Sequence, residues 1–149
     1  MFTRKKTVKS QKALDRVKPS TKAIIIIAFG TYSQPAIIRT TYPNPVKVVD
    51  DYYAKVIGTS RVEAHDNSKL LVYDTAKVTL FDNACAVAND SSYILTLSDK
   101  NIVSAFNSSH ISVQSACTVY GFDQSQIQVH CPYSRIGKVG SKVDVKFIK

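Results

Sequence analysis

The sequence contains few of the residues that favour helices or build nucleotide sites. Glutamate occurs once, at Glu63, whereas aspartate occurs ten times, and leucine is scarce beside valine and isoleucine. Strong helix formers are therefore sparse, while the β-branched residues that favour strands are common. The five glycines form no cluster of the kind that cradles phosphate groups. These absences exclude a glycine-rich nucleotide loop and favour a mostly β chain.

The residues that usually carry catalysis are also few. The three cysteines include no C-x-x-C pair, and an odd number does not indicate a disulfide framework. The three histidines lack the spacing of a zinc site, and His130 and Cys131 would point to opposite faces of a strand. Asp50, Asp51 and Asp66 are alternative ligands for a divalent cation, although aspartate more often serves turns and caps. Since no G-x-S-x-G or Walker-type motif occurs either, the sequence predicts no enzyme, no metal site and no cofactor.

No stretch of the sequence is long enough to cross a membrane as a helix. The longest apolar run, Ala23 to Phe29, is far shorter than the roughly 18 residues that such a helix needs. A secretory signal is not indicated, because the charged region before this run is long and no small-x-small cleavage site follows. A mitochondrial transit peptide stays an alternative, although the region is rich in lysine rather than arginine. We therefore expect no membrane partner.

Positive charge is concentrated at the N-terminus. Residues 1–22 carry eight bases against one acid, a net charge of +7 out of +9 for the whole chain. Residues 23–134 carry seven bases against nine acids, a net charge of −2, and residues 135–149 carry five against one, a net charge of +4. The eight cations of the first segment are Arg4, Lys5, Lys6, Lys9, Lys12, Arg16, Lys18 and Lys22.

The first segment has only faint helical spacing. Ala13, Leu14 and Val17 could form one apolar edge of a short helix, with Ser10 as its N-cap and Pro19 beyond its end. A segment this polar buries too little surface to order itself alone. We therefore predict a basic N-terminal arm over residues 1–22, flexible or partly helical, followed by a single domain over residues 23–149.

The rest of the chain shows the alternation of short strands. The clearest run is His110 to Tyr120, in which apolar and polar side chains alternate over eleven residues. Two shorter runs, Gln126 to Cys131 and Lys142 to Phe147, repeat this pattern. Roughly eight to ten such strands, separated by turn residues and with no long helix between them, predict a mostly β fold. We expect an antiparallel β-sandwich, jelly-roll-like, or a barrel, and we identify no internal repeat.

The charge of the arm predicts a polyanionic partner. Lysine and arginine near phosphates release condensed counterions, so that affinity rises with charge and falls with salt. The only aromatic residue of the arm is Phe2, which argues against base stacking. We therefore expect contacts to the backbone of RNA or DNA through the eight cations, without sequence specificity. The five cations of residues 135–149 are expected to extend the same surface.

A basic arm followed by a β-sandwich is similar in layout to the coat proteins of small icosahedral viruses. This resemblance implies a structural, self-assembling subunit, a coat or accessory capsid protein, that packs nucleic acid inside a virion beside copies of itself or other shell proteins. The alternative is a small, non-catalytic nucleic-acid-binding β-barrel inside the cell. That alternative calls for surface aromatics interleaved with basic residues, and few tyrosines stand beside lysine or arginine in one strand.

Overall fold

The computed structural model describes residues 4–148 and is a parallel β-solenoid of about nine turns. The strands are β1 (Lys5–Val8), β2 (Ile24–Ile27), β3 (Ala36–Ile38), β4 (Val46–Val48), β5 (Tyr53–Val56), β6 (Arg61–Ala64), β7 (Lys69–Val72), β8 (Lys77–Leu80), β9 (Cys85–Ala88), β10 (Tyr93–Thr96), β11 (Ile102–Ala105), β12 (His110–Val113), β13 (Thr118–Gly121), β14 (Gln126–Val129), β15 (Arg135–Lys138) and β16 (Asp144–Phe147). One short helix, α1 (Gln11–Asp15), lies between β1 and β2.

Each turn of the solenoid contributes one strand to each of two sheets. Sheet A has the order β1-β2-β4-β6-β8-β10-β12-β14-β16, and sheet B has the order β15-β13-β11-β9-β7-β5-β3. From β2 onwards, successive strands of the chain therefore belong to different sheets, and each strand pairs with the strand two places later in the sequence. The sheets face each other, and their inward side chains form one continuous core.

Strands of one sheet pair in a constant register, so that equivalent residues stack in rows. One inward row of sheet A consists of Val62, Val78, Ile94, Ile111 and Ile127, spaced 16 or 17 residues apart. All five are buried. A short apolar strand that is too small to form a core alone thus gains one by stacking on its neighbours.

Most of the connections between the two sheets contain a residue in the left-handed conformation, whereas those at residues 39–45, 97–101, 114–117 and 130–134 contain none. Among the described residues, seven that are not glycine have positive φ, and all are aspartate or asparagine, which tolerate this conformation best. They are Asp50, Asp66, Asp74, Asp82, Asp90, Asn107 and Asp123. Their side chains link successive turns: Asp74 Oδ2 accepts a hydrogen bond from Gly58 N at 2.8 Å, and Asp90 Oδ2 accepts one from Asp74 N at 2.9 Å.

Residues 4–22 pack on the first turn. β1 pairs in parallel with β2, and α1 packs beside β1 with the side chain of Gln11 bonded to β3. Ser10 is the N-cap of α1, as predicted, and its Oγ accepts a hydrogen bond from Ala13 N at 3.1 Å. Val8, Leu14 and Val17 are buried in the same core as the strands. The N-terminal end of the core is therefore covered by the chain itself.

The predicted fold class was wrong. The protein is mostly β, but its strands are all parallel and form a solenoid rather than an antiparallel, jelly-roll-like sandwich or a barrel. Alternating apolar and polar residues predict a strand with one wet face in either arrangement, so the pattern could not give the strand direction. The direction is set by the turns, which send the chain into the opposite sheet instead of back beside the strand it has just left. The resemblance to viral coat proteins depended on a β-sandwich, and it loses its basis because the structure has none among residues 4–148. Nothing observed in these residues supports a virion or capsid role.

Candidate polyanion-binding surface

The eight cations predicted as the nucleic-acid site lie at the N-terminal end of the solenoid. Arg4, Lys5 and Lys6 belong to β1 or directly precede it, Lys9 follows it, and the other four lie on α1 or between α1 and β2. All eight side chains are exposed. None of them makes an ion pair with another residue of the described part of the chain. We call this set the basic cap.

The apolar positions of the segment hold the basic cap in place. Leu14 and Val17 are turned into the core and are 4% and 5% exposed, and Lys12 and Arg16 lie exposed beside them in sequence. Ile24 N donates to Arg4 O at 2.8 Å, which continues the ladder between β1 and β2. Several of the cations are thus attached to an ordered backbone, and less backbone entropy is lost when they bind a ligand.

The outer face of sheet A adds cations in the following turns. Arg61 and Lys77 are directly opposite each other in β6 and β8, about 4.8 Å apart along the hydrogen-bonding direction. The Arg61 guanidinium donates to the carbonyls of Tyr42 and Pro43 at 3.1 and 3.0 Å. Lys47, in contrast, lies 3.9 Å from the Glu63 carboxylate and is partly neutralised. Sheet A therefore extends the positive charge of the basic cap only in part.

The four C-terminal cations within the described residues do not extend this surface. Arg135 and Lys138 lie on β15, and Lys146 lies on β16, at the far end of each sheet from β1 and β3. Lys142 lies between these strands, and Lys149 lies outside the described residues. The expectation that both ends of the chain share one face was wrong, because a solenoid separates positions in space in proportion to their separation in sequence.

Sheet B presents a second feature, two lysines beside tyrosine rings, and one of these pairs, Tyr53 with Lys69, lines a shallow groove. Lys69 Nζ lies 5.4 Å from the centroid of the Tyr53 ring, and Lys55 Nζ lies 5.0 Å from that of Tyr73. These distances are within the range of cation–π interactions. The groove has a volume of 390 Å³, and Leu71 contributes to its apolar lining.

This interleaving was not predicted from the sequence, because the predicted pattern places tyrosine and lysine within one strand. The pairs instead lie across strands, and Tyr53 is directly opposite Lys69, sixteen residues later. The signal that could have revealed them is the spacing of 16 to 18 residues between each tyrosine and its lysine, read together with a solenoid repeat.

The other candidate residues have structural surroundings. His65 Nε2 lies 3.0 Å from Glu63 Oε1, and its ring stacks on Phe81 with centroids 4.5 Å apart. Of the aspartates weighed as cation ligands, Asp66 has a carboxylate oxygen engaged by the backbone N–H of Asp50. Cys117 is buried. Within residues 4–148, no group of three or more histidine, cysteine, aspartate or glutamate side chains is placed to hold a metal ion.

One ionisable side chain beneath the basic cap is perturbed. Burial raises the pKa of Tyr42 above its ordinary value of 10.0, and the nearby negative charge of Asp15 raises it further. A side-chain hydrogen bond with Thr40 acts in the opposite direction on this pKa. The Tyr42 ring is only 5% exposed, which accounts for the dominant effect of burial.

Comparisons with protein-family models, with curated proteins and with solved structures found no match for this chain. In the described part of the chain, no helix has the length and apolar character needed to span a membrane.

Proposed function

We propose that this protein is a non-catalytic structural subunit that binds nucleic acid through its basic cap, by contacts to the phosphate backbone and without reading bases. The observation that carries the proposal is that eight exposed cations lie on one end of the solenoid without acidic partners among residues 4–148. Cations that are not neutralised internally can replace the counterions condensed on a polyanion. Self-assembly of the subunit stays a prediction.

The distribution of acids supports the same proposal. We call the places where the chain passes from one sheet to the other the corners of the solenoid. Away from the basic cap, aspartates at the corners accept hydrogen bonds from backbone N–H groups of the preceding turn, as Asp74 and Asp90 do. Residues 23–134 carry a net charge of −2, so this part of the solenoid does not attract a polyanion as a whole. The nucleic acid is therefore expected to bind at the N-terminal end.

The test is the salt dependence of binding to a mixed-sequence DNA duplex. Replacing Lys6, Lys9 and Lys12 by glutamine removes up to three phosphate contacts. The slope of log affinity against log salt should then become shallower by about 2.7, at about 0.9 for each contact. Fluorescence anisotropy with a labelled duplex measures this slope, and a second duplex of unrelated sequence should give the same value.

The matched control replaces Lys100, Lys138 and Lys142 by glutamine, with the same change in net charge at sites away from the cap. This variant should keep the wild-type slope. Equal losses in both triple variants would mean that overall charge, and not the basic cap, determines binding. Absence of binding by the wild-type protein at low salt would overturn the proposal.

A second candidate is binding of single-stranded nucleic acid on sheet B, and the observation that favours it is the pairing of Tyr53 with Lys69 across two strands. Bases stack on aromatic rings, and a neighbouring lysine can contact a phosphate. Tyr53→Ala should then weaken binding of a single strand but not of a duplex. Tyr133→Ala, a change of an exposed tyrosine between β14 and β15, serves as the control.

A further inference from the structure

The core of the solenoid is covered to different extents at its two ends in the described part of the chain. At the N-terminal end, the inward side chain of β1, Val8, is 2% exposed because α1 with Leu14 packs beside it. At the other end, β16 extends sheet A one strand beyond β15 of sheet B. Phe147 is paired with the inward-facing Val129, yet it is 69% exposed. Within the described part of the chain, a core position at this end therefore lacks the cover that α1 gives at the other.

Among residues 4–148, no strand pairs with the outer edge of β16. Asp144 N donates to Ser125 O at 3.0 Å, and Ile148 N donates to Val129 O at 2.7 Å, both toward the preceding turn in sheet A. Backbone groups alternate in direction along a strand, so the N–H and C=O of Val145 and Phe147 point to the open edge. An exposed edge of this kind is a template for another strand.

The sequence of β16 suits pairing with itself. In an antiparallel pair about a twofold axis, residues whose backbone groups point to the edge must meet each other, which allows an axis at any residue of β16, 144 to 147. An axis at Phe147 places Lys146 opposite Ile148 of the partner subunit and pairs no charges. An axis at Asp144 or at Lys146 places like charges directly opposite each other. An axis at Val145 places Asp144 opposite Lys146 of the partner subunit, twice. Only this last register pairs opposite charges.

We propose that a second copy of this chain covers the C-terminal end, through antiparallel pairing of β16 with β16 of the partner subunit about an axis at Val145. Sheet A then runs through both copies. No described strand of sheet B lies opposite β16, and in this arrangement Phe147 of each copy becomes buried in that space. Stacking of one copy's C-terminal end on another's N-terminal core is prevented, because Leu14 and Val17 already cover that core. The inference goes beyond nucleic-acid binding and does not depend on it.

The test is a charge-exchange cycle on protein freed of nucleic acid. Wild-type protein should have a native mass of twice the 16.5 kDa chain in sedimentation equilibrium. Asp144→Lys alone, or Lys146→Asp alone, creates two like-charge pairs across the axis and should weaken dimerisation about tenfold. The double exchange, Asp144→Lys with Lys146→Asp, should restore the wild-type dissociation constant.

A second variant tests the backbone contact. Val145→Pro removes an N–H that makes no bond within β16 or to β14, so the monomer should fold while the dimer is lost. Circular dichroism and thermal unfolding verify the fold of each variant. A wild-type monomer at millimolar concentration would overturn the proposal, as would a dimer that is unaffected by the single exchanges or not restored by the double one. The affinity of the basic cap for a duplex at equal protein concentration reports separately on the nucleic-acid proposal.

Discussion

Asp66 accepts a hydrogen bond on Oδ2 from the backbone N–H of Asp50, one turn earlier, at 2.9 Å, and both residues have positive φ, 57° and 54°. Asp66 N in turn donates to Asp82 Oδ2 at 2.9 Å. One residue type thus meets two requirements of a solenoid corner. It tolerates the left-handed backbone, and its short carboxylate reaches the turn before it.

The first prediction concerns Asp66. Asp66→Ala should destabilise the protein by about 2–3 kcal/mol, because alanine is strained at positive φ and the hydrogen bond to Asp50 N is lost. Asp66→Asn should cost less than about 1 kcal/mol. Asparagine can replace aspartate here because Asn107 already occupies an equivalent corner at φ 55°, where its Oδ1 accepts a hydrogen bond from Asp90 N at 2.9 Å. Urea unfolding of both variants measures the difference, and equal losses would contradict this account of the corner.

The second prediction concerns buried hydroxyl groups two residues after the corners. The Oγ atoms of Ser68, Ser92, Ser109 and Ser125 are buried and have no hydrogen-bond partner among the described residues. Alanine occupies the same position of the repeat at Ala76 and Ala84, also buried. Ser92→Ala should therefore leave stability unchanged or raise it by about 1 kcal/mol, since it removes an unsatisfied polar group. The reverse change, Ala76→Ser, should lower the urea midpoint, and a clear loss of stability in Ser92→Ala would refute the prediction.

The strands of this fold were predictable from the sequence to a greater extent than their arrangement. The period-2 run His110 to Tyr120 does contain β12 and β13, but a corner at residues 114–117 divides it between the two sheets. Alternation continues through such a corner, so the run resembles one long strand. The apolar run Ala23 to Phe29 contains β2, whose Ile25 and Ile27 point into the core.

The repeat was present in the sequence but was not identified. Asp66, Asp74, Asp82 and Asp90 are spaced eight residues apart, and each is followed two positions later by serine or alanine. Each of these four aspartates lies in a turn of the structure. Their equal spacing was the sign that successive turns in this part of the chain have the same geometry, which a sandwich does not require. The net charge of residues 1–22 follows from composition, and Leu14 and Val17 of the predicted apolar edge are buried, but the core on which they pack depends on a first turn that composition does not reveal.

The third prediction concerns the contact between α1 and sheet B. Gln11 Nε2 donates to Ile37 O at 3.0 Å, and Ile37 N donates to Gln11 Oε1 at 2.8 Å, so that one amide side chain completes the edge of β3. Gln11→Ala removes both bonds from partly buried groups and should cost about 2 kcal/mol. Gln11→Glu keeps an acceptor for Ile37 N but places a carboxylate against Ile37 O, and should not restore stability.

Amide hydrogen exchange at Ile37 is the direct measurement. Protection at this position should fall in Gln11→Ala while protection in β10 and β12 stays at the wild-type level. Lys12→Ala, which changes the adjacent exposed residue of α1, should leave Ile37 protected. Unchanged exchange at Ile37 in Gln11→Ala would show that the amide contact does not hold the edge.

The last prediction is a loss of stability at alkaline pH through Tyr42. Because burial holds its pKa above 10.0 in the folded state, and the unfolded chain has the ordinary value of about 10, the unfolded state releases this proton first as pH rises. The unfolded state then binds fewer protons than the folded state, so the free energy of unfolding falls with increasing pH. The contribution is fully present below the unfolded pKa and is lost as pH rises through the folded pKa.

Tyr42→Phe cannot ionise, and its free energy of unfolding should fall less steeply above pH 10 than that of the wild type. Tyr133→Phe, at a ring that is 81% exposed, is the control and should keep the wild-type slope. Urea unfolding at several pH values on either side of 10 measures these slopes, and parallel curves for the wild type and Tyr42→Phe would contradict the prediction.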